Sequence, residues 1–440
     1  MSFTLLGILN SQASGGISYW LTEVGDSLAD FANGVALDSQ NNAYQIGHSN
    51  LGPSTTNFAL KKYDPDGTIQ WQRVLGEAGR DAGYGVAIDS ADNIYVVGDS
   101  KTNYFGVFHF LIAKYNSSGT IQWQRRLFGA ADDNARGVAI DSNDNVYVVG
   151  KTSSEGAGSG DILLAKYNSS GTIQWQRILG YSNFDMGNGV AIDSNDNVYV
   201  VGRAQQPAGG GDNFLVAKYN SSGTIQWQRS LGGSQAEIAN GVAIDSSDNV
   251  YVFGQALNTG AGALDFLLAK YNSAGTYQWQ RTLGQAGNDE GTSVAIDSSD
   301  NVYVLGQYAP FNQYYYGMSF AKYDSSGTIQ WQRRLDDNSS TSGVYGSSVA
   351  IDSLDNVYVN GRIELNSQAL LVKLPNDGSL TGTYVLNGIT YIYAASSLTG
   401  ATSTLASTTG TLTSATSTLT AETSAATGQT VSQTQYLLEI

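Results

Sequence analysis

Apolar and polar positions follow one short rule, repeated seven times along the chain. A single unit, residues 137–180, reads GVAIDSNDNVYVVGKTSSEGAGSGDILLAKYNSSGTIQWQRILG. It breaks into four β-rich runs separated by Gly, Asn, Asp and Ser clusters: Gly137–Asp141 (A), Asn145–Gly150 (B), Asp161–Tyr167 (C) and Thr172–Leu179 (D). The string Val-Ala-(Ile/Leu)-Asp ends at Asp38, Asp89, Asp141, Asp193, Asp245, Asp297 and Asp352, and the seven tryptophans, Trp20, Trp71, Trp123, Trp175, Trp227, Trp279 and Trp331, keep the same register. A long internal period decides architecture before any local propensity does. Mixed apolar runs such as Asn-Val-Tyr-Val-Val-Gly, in place of strict alternation, suit a sheet covered on both faces. Radial stacking supplies that cover, with Trp and Tyr filling the wedges. The pattern predicts an all-β, seven-bladed propeller of four-stranded antiparallel blades over residues 17–378, with strand A lining the channel.

The turns carry their own chemistry. Asp-Ser-Asn-Asp-Asn between A and B offers Asx capping and an Asn tolerant of positive φ, and Asn-Ser-Ser-Gly between C and D ends on a Gly suited to a left-handed position. The chain begins with a D-like strand, Ile17–Val24, and its last unit stops at a C-like strand, Ala369–Leu374. The N-terminal strand is therefore expected to complete the last blade, leaving no open edge. Residues 383–393 compete for that place but lack the Trp.

The strings VAIDSxDNVYVVG and AKYNSSGTIQWQR resemble the seven-bladed β-propeller, or SBBP, repeat family over roughly residues 17–378. The A–B and C–D turns hardly change from unit to unit, whereas B–C loops such as 153–160, 204–212, 256–265 and 307–317 all differ. One rim is thus uniform and should carry both flanking segments. The other is varied and is where binding is expected.

Composition narrows the partners. A formal charge of −16 argues against nucleic acid, and the absence of Cys excludes disulfides and thiolate chemistry. Only His48 and His109 are present, and the Asp-rich turns lack the Gly and distal Glu of a calcium loop, so no metal or cofactor is expected. Asn116, Asn168 and Asn220 match a glycosylation pattern that the C–D turn explains equally well. The apolar stretch Phe3–Leu9 is short for a signal or a membrane span, and residues 1–16 read as a retained cap on the propeller or an anchor to another subunit.

After Lys373 no Lys or Arg follows, and residues 379–440 are Ser/Thr/Ala-rich. Leu398, Leu405, Leu412 and Leu419 stand seven apart, a heptad-like step that disfavours one straight strand. An attachment or oligomerisation tail, possessing a short coiled coil, is set against a flexible linker, because Ser, Thr and Gly are poor helix formers.

No constellation of catalytic residues breaks the repeat. The neighbouring acids Asp132 and Asp133, Asp289 and Glu290, and Asp336 and Asp337 read as solvated. The distinctive departures are aromatic: Tyr308, Phe311, Tyr314, Tyr315 and Tyr316 in the loop at 308–316, and Tyr104 and Phe105 in the second blade. With nearby Asn and Gln they suit glycan or protein recognition. The segments flanking the propeller, with the opening SFTLLGILNSQASGG, resemble bacteriophage structural proteins. That resemblance implies a non-enzymatic virion component (tail, fibre or head decoration) displaying the propeller for host-surface attachment, joined to other virion subunits through residues 1–16 and the tail. A secreted or surface-bound bacterial propeller binding glycans or proteins is the alternative, and a propeller polysaccharide lyase or hydrolase is a third reading.

Overall fold

The computed structural model describes residues 19–439 except 26–29, 50–55, 77–78, 102–105, 206–210, 258, 260–262, 310–315, 338–341, 365–366, 387–388 and 397, and, in the tail, 402–405, 410–412, 416–419, 423–426 and 431–433; beyond Leu398 it describes backbone alone. Seven sheets stand around a central channel, and each begins with the predicted order A–B–C–D. Blade 3 is representative, with strands Asp133–Ile140, Val146–Thr152, Asp161–Tyr167 and Ile173–Gly180. Blade 7 has Val344–Ile351, Val357–Ile363 and Gln368–Leu374 from the end of the repeats, and takes Trp20–Gly25 as its fourth strand. The two ends pair antiparallel from Trp20 with Lys373 to Val24 with Ala369, the closure expected from the missing Trp strand. Residues 1–16 lie outside the described residues.

The core lies between blades. Tyr95, Val97, Phe110 and Ile112 of blade 2 pack against Val146, Val148, Leu163 and Ala165 of blade 3, and equivalent clusters fill the other wedges. Burying each such side chain is worth roughly 1.5–3 kcal/mol.

The uniform rim owes its sameness to a hydrogen-bonded ring. Within each A–B turn the first Asp is a hub: Asp141 Oδ1 accepts from the backbone N–H groups of Asn143 (3.0 Å) and Asn145 (2.8 Å), while Oδ2 accepts from the Tyr147 hydroxyl (3.0 Å) and faces Lys166 Nζ at 3.4 Å. Burial works to raise this carboxyl, yet hydrogen bonds from Asn145, Asn143 and Tyr147 outweigh it and hold it below the usual range. Between blades, the Ser of one turn donates to the second Asp of the next: Ser39 to Asp92, Ser90 to Asp144, Ser142 to Asp196, and so on to Ser298 and Asp355. Ser353 then donates to Asn41, which closes the circle. This second Asp, not the Asn after it, takes the positive φ, as at Asp144 (57°). Exposed bonds of this kind add only about 0.5–1.5 kcal/mol each, so the ring sets blade register while the wedges supply stability.

The C–D turn meets the preceding blade's Trp. Trp123 Nε1 donates to Ser169 O (3.0 Å), and Gly171, at φ 77°, lies so close that an added Cβ would stand 2.7 Å from the indole. Glycine is thus required there for conformation and for space.

The tail forms no helix among its described residues. It first pairs as a hairpin, Gly382–Leu386 with Ile389–Ala395, on the outer edge of blade 6. It then travels backwards around the propeller and adds one short outer strand to each blade in turn: Thr399–Ala401 on blade 5, Ala406–Thr409 on blade 4, Thr413–Ala415 on blade 3, Thr420–Glu422 on blade 2, Thr427–Thr430 on blade 1 and Thr434–Glu439 on blade 7. These strands start seven residues apart, at 399, 406, 413, 420, 427 and 434. Seven extended residues reach about 23 Å, so the heptad-like step is the spacing between neighbouring blade edges. The argument against a single straight strand holds, because the segment is a series of short strands that restarts on every blade. Leu398, 5% exposed, packs with Phe253, Phe266 and Leu283.

Candidate functional site

Every blade carries the same irregularity at the channel. In blade 3, Ala135 pairs with Gly150 and Gly137 with Val149, so Arg136 bulges out of the ladder. This bulge lets strand A begin at Asp133, four residues before the predicted start. A Cβ on Gly150 would stand 1.9 Å from Asn134 O, which explains the Gly that recurs in strand B. Bulges re-aim side chains, and here the residues at the bulge, Asn33, Tyr84, Arg136, Asn188, Asn240, Thr292 and Ser347, all line a channel cavity of about 620 Å³.

Asn at the bulge has a structural task. Asn33 Nδ2 donates to Gly83 O (2.7 Å), Asn188 to Ala239 O (2.9 Å) and Asn240 to Gly291 O (2.7 Å), tying each blade to the next across the channel wall. Blades 2 and 3 abandon that link. Tyr84 and Arg136 stand there instead, with the guanidinium 4.0 Å from the tyrosine ring centre, and Arg136 Nε has no hydrogen-bond partner among the described residues.

A second varying position follows the strand-B Gly: His48, Asp99, Lys151, Arg203, Gln255, Gln307 and Arg362. These residues pair across with the second residue of strand A: Phe31 with His48, Met186 with Arg203, and Tyr345 with Arg362. The result is a cationic and aromatic arc over blades 7 to 4. Arg362 lies over Phe31 (4.8 Å) and Tyr345 (4.5 Å), Phe31 stacks on His48 (4.5 Å), and Arg203 and Lys151 flank Phe184 (4.5 and 5.4 Å). Burial, with Arg80 and Arg362 nearby, pushes His48 down to about 4, so its imidazole is neutral at pH 7. Burial pushes buried Asp99 up to about 6 against the opposing pull of Arg136, Asn134, Arg80 and Tyr84.

Beside the arc lies a circle of buried carboxylates at the first position of strand A. Asp133, Asp185, Glu237 and Asp289 are all fully buried. Each accepts a backbone N–H four residues upstream, as Asp133 does from Gly129 (2.8 Å) and Asp289 from Gln285 (2.7 Å). The expectation that the neighbouring acids are solvated is therefore corrected. Adjacent strand residues point to opposite faces, so Asp289 is buried while Glu290 accepts from Gln307 (2.6 Å); Asp337 is also buried, and Asp336 accepts from Tyr308.

Desolvation raises Asp185, Glu237 and Asp289 to about 7, helped by Asp161 at Asp185, Asp212 at Glu237 and Asp265 at Asp289. A carboxyl raised in the fold binds protons that the unfolded chain releases, so its contribution is complete below about 4 and lost as pH climbs through about 7. Thermal unfolding midpoints should therefore fall between pH 5 and pH 8. The double variant Asp185→Asn/Asp289→Asn should flatten that slope, and an unchanged slope would assign the pH dependence to other groups.

The structure places the predicted site residues unequally. Tyr308 is 5% exposed, packs between blades and donates to Asp336 Oδ1 (2.6 Å). Tyr316 reaches the arc, 5.4 Å from Tyr345. Phe311, Tyr314, Tyr315, Tyr104 and Phe105 lie outside the described residues. Sequence reasoning missed Phe31, Tyr84, Arg136, Arg203, Tyr345 and Arg362, since it looked for variation in loops. Aligning the seven units would have exposed them as varying positions inside otherwise copied strands.

The SBBP "Beta-propeller repeat" family model matches residues 20–51, 70–105, 122–156, 174–205 and 278–307. Similar proteins include an uncharacterized WD repeat-containing protein, L264, of Acanthamoeba polyphaga mimivirus, 22% identical across 78% of this chain and 34% of its own length. Another is the regulatory protein FlaEY of Caulobacter vibrioides, 25% identical across 41% of this chain and 22% of its own. The chain thus spans about a third or less of these relatives. Among solved structures, the polysaccharide lyase Uly1 is 8% identical over 81% of this chain and 99% of its own, with a TM-score of 0.48. Drosophila Plexin A in complex with Semaphorin 1b is 10% identical over 80% and 86%, with a TM-score of 0.43. Seven four-stranded units around one channel make this chain a seven-bladed β-propeller, and five stretches of it match the SBBP repeat model.

Proposed function

We propose that the protein is a non-enzymatic binding module that presents its varied rim and channel mouth to a partner. One observation carries this reading: inside strands copied almost verbatim, the bulge position changes from blade to blade and in all seven lines the channel cavity. One oxygen of each of Asp133, Asp185, Glu237 and Asp289 caps a loop backbone N–H, a structural task that supports binding over acid–base chemistry. The test restores the repeat's own residue. Tyr84→Asn/Arg136→Asn places in blades 2 and 3 the Asn that blades 1, 4 and 5 already carry, so the variant should fold. Binding to glycan arrays and intact bacterial cells should drop at least tenfold. Retained binding would overturn the assignment of this mouth.

A virus-borne version of the same reading, with the propeller displayed as a tail, fibre or head-decoration component for host attachment, draws support from the likeness to the mimiviral protein. It requires the protein to be found in purified virions by mass spectrometry.

A further inference from the structure

Resting on that binding reading, we infer that the ligand is an acidic saccharide, a sugar chain bearing carboxylate or sulfate groups, held over the arc of blades 7 to 4.

In a chain of formal charge −16, the repeat spends its own cations on structure. The strand-C Lys faces the A–B hub Asp, and the strand-D Arg donates to the next blade's turn carbonyl, as Arg125 Nε does to Gly171 O (2.8 Å). Arg136, Arg362 and Lys151 do neither, and Arg203 pairs with the neighbouring Asp212. Arg136 and Arg362 line the cavity, and all four cations lie beside an aromatic ring. A guanidinium presents a planar fork that matches a carboxylate or sulfate oxygen pair, and the ring beneath it keeps that fork in place.

The acids near the arc are already engaged. Asp212 pairs with Arg203 (3.0 Å), Glu364 accepts from Tyr345 (3.0 Å), Glu290 accepts from Gln307, and buried Asp99 lies within the Arg136, Arg80 and Tyr84 group. Blades 5 and 6 carry Gln255 and Gln307 where blades 3, 4 and 7 have Lys151, Arg203 and Arg362 and blades 1 and 2 have His48 and Asp99, so the cations lie on one side of the mouth.

The remaining lining favours a sugar over an acidic peptide. Asn33 and Asn188 spend an amide N–H on the next blade's carbonyl, leaving amide oxygens as acceptors for hydroxyls. Phe31, Tyr84 and Tyr345 supply flat faces for sugar rings. A cavity of about 620 Å³ suits a short chain end.

Isothermal titration of the full chain with tetragalacturonate, a sulfated tetrasaccharide, neutral maltotetraose and tetraglutamate tests the inference. At least one anionic saccharide should bind tenfold or more tighter than both maltotetraose and tetraglutamate, and the two anionic arms identify carboxylate or sulfate as the recognised group. Arg136→Asn and Arg362→Gln, each a residue native to sibling blades, should weaken that binding at least tenfold with unfolding midpoints unchanged. Equal binding of the neutral sugar, lost in Tyr84→Asn, would overturn the acidic class while leaving the mouth as a binding site. Preference for tetraglutamate would do the same in favour of a peptide. Anionic-sugar binding untouched by every mouth variant would sink both readings.

Discussion

Replacing Trp20 by alanine is expected to cost about 3–5 kcal/mol and to lower the unfolding midpoint on the order of 10 °C, more than the same change at Trp175. Trp20 is fully buried. Its ring stacks with Tyr63 of blade 1 at 6.4 Å and meets Tyr358 of blade 7 edge-on at 5.9 Å, while Nε1 donates to Pro65 O (3.0 Å). It therefore ties the seventh blade to the first. Trp175 is only half-buried, makes its bond to Ser221 O at an exposed site, and sits on a strand that a short turn joins to strand C. Strand D of blade 7 has no such turn, and pairing alone holds it to Gln368–Leu374. Losing Trp20 thus removes packing and weakens the joint by which the N-terminal strand completes blade 7. Scanning calorimetry of the two variants compares them directly, and equal losses would show that this strand is no weaker a link than any other.

The fold was legible because the repeat states it seven times: strand order, hub Asp, turn Gly and Trp recur at fixed offsets, and the missing seventh Trp strand predicts closure. Three features were hidden for physical reasons. The bulge adds a residue without changing the apolar pattern, so strand A was read four residues short. The seven-residue step of the tail fits a helical heptad and the distance between blade edges equally well, and only the presence of those edges decides. The neighbouring acids hide behind their adjacency, because Asp289 and Glu290 point to opposite sides of one strand. As for the candidate site, Tyr316 was singled out through its loop, whereas Arg136 and Tyr84 are visible only as departures from the Asn that bulges in blades 1, 4 and 5.

Deleting residues 399–440 is expected to make the propeller self-associate far more than it loses stability. The tail's outer strands on blades 1 to 5 are three or four residues long. Each hydrogen bond they make is worth about 0.5–1.5 kcal/mol, while ordering each residue costs about 1–2 kcal/mol, so their net contribution to the fold is small. Their larger effect is on the strand-D edges. Arg229, Ser230, Leu231 and Gly232 pair with Thr409, Thr408, Ser407 and Ala406, and the other blades are covered in the same way. Uncovered, such edges offer ladder groups to other copies of the chain, and six blades would expose them together, blade 6 keeping its hairpin. Light scattering should show the truncated chain forming concentration-dependent assemblies that the full chain does not, with the unfolding midpoint shifted by only a few degrees. Hydrogen exchange adds a local readout: strand-D amides should lose protection in blades 1 to 5 and 7 and keep it in blade 6. Unchanged protection together with an unchanged particle size would mean that the belt does not cover these edges in solution.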